Sequence, residues 1–416
     1  IIKSICLKEL VNWYSPFQRT NGLLNPFDDY QLSKNRVTNE NAKVDFLAPE
    51  HPVLNAPNKI TKADFENWVQ ERGLYFPSIW SDEYRPLLSM NDKGETPKLG
   101  SLLIAKYGNN LARLAEQNQV NLEFEASVAG GIPILRIIKE GLATNKISKI
   151  YGILNGTTNY ILSEMENSNQ NFSEVLKKAQ QLGYAEPGNP KLDLNGYDAF
   201  AKIRILSSLG FNSKIANNKC LMEGIENIDL KDIKIASQLG MRIKLLGITE
   251  IIKDELFERV HPCLVDNKSY IGNVNGVMNA VILNGLPVGE SILQGEGAGP
   301  GPTSSSLLSD LLSILRGNIK NPFGISSIKH KKLKSYNLAN YTNSLYLRFE
   351  VKDVPGVMSK ITDKLAKYKI SIKRLIQTPN HKFKRATIVM TTHKTTEHNI
   401  QQCLKIINKD KTILEF

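Results

Sequence analysis

Among the ionisable side chains in a stretch of 17 residues, three carboxylates and one lysine are candidates for handling a proton or a charged substrate. They are Glu186, Asp193, Asp198 and Lys202, in the run GYAEPGNPKLDLNGYDAFAK. Glycines and prolines up to position 196 predict a loop that carries Glu186 and Asp193. The following run YDAFAKIRILSSLG predicts a helix, which places Asp198 and Lys202 at i and i+4 on one face.

Two interpretations of the Asp198–Lys202 pair are open at this point. A carboxylate favours the charged form of a neighbouring lysine and burial opposes it, so the pair can tune proton transfer at a substrate hydroxyl. A solvent-exposed helix ion pair is the alternative, and it would contribute only about 0.3–0.5 kcal/mol to stability.

The elements that would position these side chains lie between residues 104 and 317, where helical and extended patterns alternate. LLIAKYGNNLARLAEQNQ and the amphipathic FSEVLKKAQQLGY have helical spacing, and Gly183 is placed to end the second helix. LEFEASVA and ISKIYGILNG predict strands. This alternation is typical of an α/β domain.

The end of the chain has a different organisation. Residues 345–416 show the order β-α-β-β-α-β of a ferredoxin-like module, beginning with the alternating strand LYLRFEVK. The lysine-rich stretch 318–344 predicts a basic linker. Residues 1–103 are polar and interrupted by prolines, which predicts an atypical N-terminal segment.

Composition limits the function classes. A length of 416 residues predicts two or three domains, and 41% hydrophobic with 23% charged residues is typical of a globular chain. The apolar runs are too short for a membrane span, and four scattered cysteines indicate a reducing cytoplasm. The net charge of +12 comes from residues 318–416, where 20 Lys and Arg face 6 Asp and Glu. Because aromatic residues are sparse there, a solvated linker is favoured over nucleic-acid binding.

From about Ile104 onward the sequence resembles the homoserine dehydrogenase family. Its motifs occur in the family's order as FEASVAGGIPIL (124–135), GILNGTTNYIL (152–162), the stretch around Asp198, VNGVMNAV (274–281) and GEGAGPGPTSSSLLSDL (295–311). Residues 345–416 resemble an ACT domain, a small amino-acid-sensing module. The resemblance implies a mixed-sheet (α+β) substrate domain. It also implies NAD- or NADP-dependent interconversion of L-homoserine and L-aspartate 4-semialdehyde, in threonine, methionine and isoleucine biosynthesis.

The resemblance implies roles for individual residues. Lys202 matches the lysine that transfers a proton at the substrate oxygen, with Asp198 as its neighbour. Homoserine would be held by Glu186, Asp193, Tyr184, Gly156 and Thr157. The NAD or NADP cofactor would be bordered by Gly297 and Gly299.

Further matches concern other ligands and assembly. Backbone oxygens that would bind a structural monovalent cation such as sodium are those of Glu125, Val128, Gly130 and Ile132. Hard oxygen ligands suit such an ion. The loop that would bind an amino-acid effector such as threonine comprises Asp353, Pro355, Gly356 and Val357. A purely structural dimerisation module is the alternative reading of this ACT domain. The family likeness implies a homo-oligomer, either a dimer or a tetramer.

The opening of the chain departs from the family. A Rossmann domain needs a glycine-rich turn, and the glycines of residues 1–100 (Gly22, Gly73, Gly94 and Gly100) cannot form GxGxxG. Gly100 and Ser101 align with an Asn-Lys pair of the family. Residues 40–108 instead resemble the C-terminal part of PIG-L/LmbE-type deacetylases, without that family's metal-binding motif. The sequence therefore predicts a chimeric chain whose Rossmann domain is replaced or missing and whose dehydrogenase activity is impaired. A non-catalytic dimerisation and amino-acid-binding module is the alternative.

Overall fold

The computed structural model describes residues 30–37, 43–46, 74–80, 88–91, 100–186, 190–216, 220–317, 321–380 and 383–415. The chain divides into two compact units, Ile1–Lys334 and Ser335–Phe416. The division falls inside the stretch 318–344 for which the sequence predicts a linker. Among the described residues, no helix combines the length and the apolar character needed to cross a membrane.

The strands described ahead of residue 100 form two antiparallel pairs. They are β1 (Tyr30–Val37), β2 (Lys43–Phe46), β3 (Leu74–Trp80) and β4 (Leu88–Asn91). β1 pairs with β3, and β2 pairs with β4. Much of the stretch 40–108, which resembles a deacetylase, lies outside the described residues, and that resemblance stays a prediction.

A six-stranded mixed sheet forms the centre of the first unit. Its strands are β5 (Lys146–Ile153), β6 (Leu221–Met222), β7 (Met241–Ile252), β8 (Glu255–Asp266), β9 (Met278–Leu286) and β10 (Gly289–Glu296). Their order across the sheet is β10-β9-β5-β7-β8-β6. β6 runs parallel to β8, and the other neighbouring strands of this sheet are antiparallel. The mixed α/β architecture that the resemblance implies is confirmed.

Eight helices are described in this unit: α1 (Gly100–Gln117), α2 (Ile134–Arg136, continued by a π-helical turn at Ile137–Gly141), α3 (Gly156–Ser168), α4 (Phe172–Gln181), α5 (Lys191–Leu194), α6 (Tyr197–Gly210), α7 (Leu230–Gln238) and α8 (Pro300–Leu315). Of these, α3, α6 and α7 pack directly on strands of the sheet. Successive residues of β9 face opposite sides of the sheet. Val281 and Leu283 therefore join the helices in the main core, whereas Ala280 and Ile282 belong to a second cluster.

Two local predictions for this unit are wrong. The segment LEFEASVA is not a strand, because Glu125–Ser127 form a 3-10 turn whose Glu125 N–H donates to the Asp310 side chain and not to a neighbouring strand. Asp193 lies in the one-turn helix α5 and not in a loop. Pro190 precedes α5, and a proline is compatible with a helix start because its fixed φ suits the first turn.

The second unit has the expected ferredoxin-like arrangement. Its elements are β11 (Thr342–Asn343), β12 (Tyr346–Lys352), α9 (Val357–Lys367), β13 (Ile372–Asn380), β14 (Arg385–Thr392), β15 (Thr395–Thr396), α10 (Glu397–Ile407) and β16 (Ile413–Glu415). The larger sheet has four strands in the antiparallel order β13-β14-β12-β16. Inward-facing residues such as Phe349 and Ile388 pack against Ile361 and Ile400 of the two helices, so this unit has its own core.

Candidate active site

The predicted proton-transfer pair forms inside the protein. α6 begins at Tyr197, directly after Gly196 in the left-handed region at φ +83°. One helical turn separates Asp198 from Lys202, and the Lys202 Nζ lies 2.7 Å from Asp198 Oδ2. Only 14% of the lysine side chain and 3% of the aspartate side chain are exposed. The alternative of a solvated surface ion pair is therefore wrong.

The Lys202 ammonium has a second protein partner. Its Nζ also donates to the backbone oxygen of Leu154, at 3.0 Å. Leu154 directly follows β5, so the end of a sheet strand fixes the ammonium. A lysine ammonium carries three donors, and these two contacts leave one N–H to bind a substrate oxygen.

Asn155 joins three elements at this point, and the sequence motifs did not single it out for that role. Its Nδ2 donates to Asp193 Oδ1 at 2.8 Å and to Asp198 Oδ2 at 2.9 Å. Its Oδ1 accepts from the Thr158 backbone N–H at 2.9 Å and thereby caps α3. The available sequence signal was an Asn near the end of the predicted strand ISKIYGILNG, since Asn is a common helix N-cap.

Asp193 has an unusual titration. Its pKa is raised to about 6, chiefly by burial and then by the neighbouring Asp198 carboxylate, and Glu186 acts in the same direction. The hydrogen bond from Asn155 and the Lys202 charge oppose that rise. Asp193 and Asp198 thus lie near one ammonium, with Glu186 acting on Asp193, and an excess of acids of this kind suits a cationic group.

Other residues predicted to line the substrate site lie around the first turn of α3. Thr157 Oγ1 donates to the backbone oxygen of Tyr184 at 2.6 Å, which ties α3 to the segment that follows α4. The Tyr184 ring packs on Tyr160, with ring centroids 4.9 Å apart. A Cβ at Gly156 would lie 2.7 Å from the backbone oxygen of Val277, so this turn requires glycine.

Ser101 lies on the opposite side of the lysine–aspartate pair. Its Oγ is 3.5 Å from Asp198 Oδ1, and the residue is 2% exposed. The position that aligns with the family's Asn-Lys pair is thus adjacent to the candidate site. In this chain a serine and not a second ammonium approaches Asp198.

The glycine-rich segments predicted to border the cofactor and the cation meet each other. The Gly130 N–H donates to the Gly297 backbone oxygen and the Gly131 N–H donates to that of Glu296, both at 2.9 Å. Gly299, at φ +114°, leads into α8. The structure therefore brings two segments together that are far apart in the sequence.

The loop between Glu125 and Ile132 carries the oxygens predicted to bind a cation. Three of these backbone oxygens accept protein hydrogen bonds: that of Glu125 from Val128 N–H, that of Gly130 from Ser306 Oγ–H, and that of Ile132 from Ile134 N–H. A carbonyl has two lone pairs, so each retains one for an ion. The described residues contain no cluster of three His, Cys, Asp or Glu side chains able to hold a metal.

Side chains hold this loop in place. The Glu125 carboxylate accepts from the backbone N–H groups of Leu135 (2.8 Å) and Arg136 (2.9 Å), which makes it a structural cap and not a free ligand. The Glu125 N–H donates to Asp310 Oδ2 at 2.9 Å. Burial raises the pKa of Asp310 to about 7.

Among the described residues, those ahead of Gly100 do not form a site for the pyrophosphate of a dinucleotide. Their strands are antiparallel, and residues 1–100 contain no GxGxxG. Gly297 and Gly299 would supply only one border of such a site. Beside Gly297 lies Asn279, which is 1% exposed and whose Oδ1 and Nδ2 both lack a hydrogen-bond partner.

The predicted effector loop lies in the second unit. Gly356 adopts φ +86° directly before α9, and Asp353, Pro355 and Gly356 are exposed. Val357 begins the helix and is buried in the core of this unit. An exposed N-terminus of an 11-residue helix follows the loop, and such a terminus attracts carboxylates.

Comparison with known proteins agrees with this architecture. The homoserine dehydrogenase family profile matches residues 133–312, and the ACT domain profile matches residues 345–411. A homoserine dehydrogenase of Neisseria gonorrhoeae is 42% identical over 311 residues, which cover 73% of this chain and 71% of that protein. One from Pseudomonas aeruginosa is 37% identical, with the same coverage.

A solved structure gives the same result in three dimensions. The crystal structure of a homoserine dehydrogenase from Thiobacillus denitrificans superposes with a TM-score of 0.71 at 36% identity, covering 76% of this chain and 73% of that one. Fold and site together define an oxidoreductase that carries an ACT domain. The chain belongs to the homoserine dehydrogenase family. Homoserine dehydrogenases use NAD(P).

Proposed function

We propose that the cluster around Lys202 is where this homoserine dehydrogenase binds L-homoserine and moves its hydroxyl proton. The observation that carries the proposal is the position of the Lys202 ammonium. It is fixed by Asp198 Oδ2 and by the Leu154 backbone oxygen, with one N–H left for a substrate. When bound, NAD(P) supplies the hydride chemistry.

The protein's own contribution is a proton at one oxygen. In the direction of reduction, the Lys202 ammonium donates to the aldehyde oxygen of L-aspartate 4-semialdehyde as that oxygen becomes a hydroxyl. In the direction of oxidation, the neutral amine takes the hydroxyl proton. Asp198 stabilises the charged lysine between these events.

The same cluster can hold both charged ends of the amino acid. Asp193 and Glu186 offer carboxylates to the substrate ammonium, and charge-assisted hydrogen bonds of this kind are strong. The first turn of α3, at Gly156 and Thr157, presents backbone N–H groups to the substrate carboxylate. Asn155 fixes the spacing between the two subsites because it bonds Asp193 and caps α3.

Replacing the lysine tests this proposal. We expect Lys202→Ala to lower kcat for homoserine-dependent NADPH formation by about 10²–10⁴, the usual contribution of general acid–base catalysis. Calorimetry would show homoserine binding that is weakened but not lost. Lys214→Ala, an exposed lysine beyond the end of α6, is the matched control and should leave both quantities unchanged. A Lys202→Ala protein with a kcat close to wild type would contradict the assignment.

A second candidate function is a non-catalytic module that dimerises and binds amino acids. The observation in its favour is the lack of any GxGxxG in residues 1–100. It predicts that the full chain leaves NADPH fluorescence unchanged in a titration, while calorimetry still detects homoserine. A micromolar NADPH response would exclude this candidate and would also contradict the predicted replacement of the Rossmann domain and the chimeric origin of residues 40–108.

We also propose a sodium site at the backbone oxygens of Glu125, Val128, Gly130 and Ile132. The support is a set of carbonyl oxygens on one loop that is braced by Ser306 and Asp310. Sodium chloride should then raise the melting temperature more than choline chloride at equal ionic strength. Equal melting temperatures in the two salts would contradict the proposed sodium site.

For the second unit we propose threonine as the effector, bound at the loop of Asp353, Pro355, Gly356 and Val357. The exposed helix start supports the proposal because it can receive a carboxylate. Calorimetry with threonine should give a signal that Asp353→Ala weakens. The absence of heat with any related amino acid would leave the ACT unit a structural module. We further propose that the protein is cytoplasmic and forms a homo-oligomer. Analytical ultracentrifugation should then give the mass of a dimer or a tetramer.

A further inference from the structure

Lys244 places an ammonium group inside the first unit, away from the cluster around Lys202. It lies on β7 and is 1% exposed. Four oxygens lie within hydrogen-bond distance of its Nζ: Asn159 Oδ1 at 3.0 Å, Ser163 Oγ at 3.3 Å, the Val274 backbone oxygen at 2.6 Å and Asn275 Oδ1 at 3.2 Å. All four are uncharged, so the ammonium is held by dipoles.

These oxygens come from two segments that are distant in the sequence. Asn159 and Ser163 belong to α3, whereas Val274 and Asn275 begin the loop 274–277, which leads into β9. Asn159 strengthens the same junction from its other end. Its Nδ2 lies 3.0–3.1 Å from the backbone oxygens of Val274, Gly276 and Met278. Lys244 and Asn159 together fasten the loop to the helix.

The fastened loop forms the wall behind the proposed subsite for the substrate carboxylate. The Val277 backbone oxygen approaches Gly156 so closely that a Cβ there would lie 2.7 Å away. Gly156 is the first residue of α3, and the Asn159 N–H donates to the Asn155 backbone oxygen at 3.3 Å. A displacement of the loop would therefore move the turn that contains Gly156 and Thr157.

We propose that Lys244 is a positioning residue for substrate binding: its ammonium fixes the loop 274–277 against α3 and thereby sets the turn at Asn155–Thr157. This inference rests on the proposed role of that turn in holding the carboxylate of homoserine. Lys244 itself touches no substrate atom. Its effect should appear in substrate affinity and not in the proton-transfer step.

The charge state of Lys244 gives the inference a pH dependence. Its pKa is lowered to about 8, chiefly by burial and then by the Arg242 charge, and Glu166 opposes the change. Arg242 and Glu166 form their own ion pair at 3.2 Å, and Arg242 also donates to the Gly272 backbone oxygen. Above about pH 8 the neutral amine holds the four oxygens less strongly, so homoserine affinity should fall there.

The decisive experiment compares Lys244→Met with wild type in the full chain. We expect calorimetry to show homoserine Kd raised about 10- to 100-fold, the range that small misplacements of a site produce. The wild-type Kd should rise above about pH 8, whereas the Kd of the variant should be flat. Lys268→Met, at an exposed lysine after β8, is the control and should behave as wild type.

Hydrogen exchange supplies a readout that does not depend on homoserine. Amides of the loop 274–277 and of the first turn of α3 should exchange faster in Lys244→Met, and unchanged exchange would overturn the inference. If Lys244→Met fails to fold, Asn275→Ala replaces it, because Asn275 is an exposed residue and its Oδ1 is one of the four oxygens at the Lys244 Nζ. We expect this variant to raise the homoserine Kd by about two- to fivefold.

The outcomes separate this inference from the proposed function. A wild-type chain that binds no homoserine would overturn the proposed function, and this inference with it. Homoserine binding by wild type, together with an unchanged Kd and pH profile in the Lys244→Met and Asn275→Ala proteins, would overturn the inference alone.

Discussion

Asp193 and Asp198 accept hydrogen bonds from the same nitrogen atom, the Nδ2 of Asn155, at 2.8 and 2.9 Å. The two carboxyl groups come from separate helices, the one-turn α5 and the longer α6. The shared amide holds two like charges close together, and the Lys202 ammonium on Asp198 partly neutralises them. The site therefore depends on an uncharged residue as much as on its ionisable ones.

Replacing that uncharged residue should affect both stability and binding. We expect Asn155→Ala to lower the free energy of unfolding by about 1–2 kcal/mol through loss of the α3 cap. It should also weaken homoserine binding, because Asp193 and Asp198 lose their common donor. Asp229→Ala removes the N-cap of α7, away from the site, and is the matched control. Denaturant titration and calorimetry would show a stability loss in both variants and an affinity loss in Asn155→Ala alone.

Asp193 predicts a pH dependence with a definite sign. Its pKa of about 6 exceeds the unfolded value of 3.8, so between these pH values the native state holds more protons. The free energy of unfolding therefore falls as pH rises from about 4 to 6. At pH 7 we expect Asp193→Asn to raise stability by about 1–3 kcal/mol. Thermal melts at pH 4 and pH 7 check this, since the gain should vanish at the lower pH.

Ionisation of Asp193 should raise the affinity for homoserine, although it lowers the stability of the fold. An ionised Asp193 is needed to hold the substrate ammonium, so homoserine Kd should rise as pH falls below about 6 in wild type. The Asp193→Asn variant should bind homoserine weakly at every pH, and its Kd should not rise further below pH 6. A wild-type affinity that is constant from pH 5 to pH 7.5 would contradict the ammonium-binding role.

Gly156 and Gly301 form a matched pair of glycines. A Cβ at Gly156 would lie 2.7 Å from the Val277 backbone oxygen, whereas a Cβ at Gly301 meets nothing within 4 Å. Gly156→Ala should lower the free energy of unfolding by about 1–3 kcal/mol and weaken homoserine binding. Gly301→Ala, inside α8, should be neutral or stabilising by up to about 1 kcal/mol. Denaturant unfolding distinguishes the two variants. An unchanged free energy of unfolding in Gly156→Ala would show that the loop 274–277 can move to accommodate the Cβ.

Gly297 and Asn279 should be strongly coupled. A Cβ on Gly297 would lie 2.0 Å from Asn279 Nδ2, because the carboxamide fills the space that glycine leaves. We expect Gly297→Ala to be severely destabilising alone and much less so together with Asn279→Ala. A double-mutant cycle should give an interaction energy of about 0.5–3 kcal/mol. If the stability losses of the two single variants simply add in the double variant, the Asn279 carboxamide must be able to move away from residue 297.

Much of the fold was predictable because its signals are local. The helical spacing of YDAFAKIRILSSLG placed Lys202 one turn after Asp198, and the alternation of LYLRFEVK predicted β12. By contrast, the 3-10 turn at Glu125 depends on Asp310, which follows it by nearly half the chain. The pattern of apolar residues within LEFEASVA contains no information about a contact with Asp310.

The site was predictable in its ionisable residues and not in its neutral ones. Family motifs pointed to Lys202 and Asp193, whereas Asn155 acquires its role only when α5 and α6 pack beside α3. Lys244 is a lysine in the strand MRIKLLGITEII, next to the apolar run LLGI, and its four oxygen partners come from elements that meet it only in the folded chain.

The two backbone hydrogen bonds that join Gly130 and Gly131 to residues 296 and 297 have a consequence for synthesis. During translation the early segment leaves the ribosome long before the later one exists, and chains emerge at about 5–20 residues per second. The nascent polypeptide must therefore wait for roughly ten seconds or more with these amides open to water or chaperones. A polypeptide stalled before residue 296 would therefore lack the acceptor oxygens for the Gly130 and Gly131 amides.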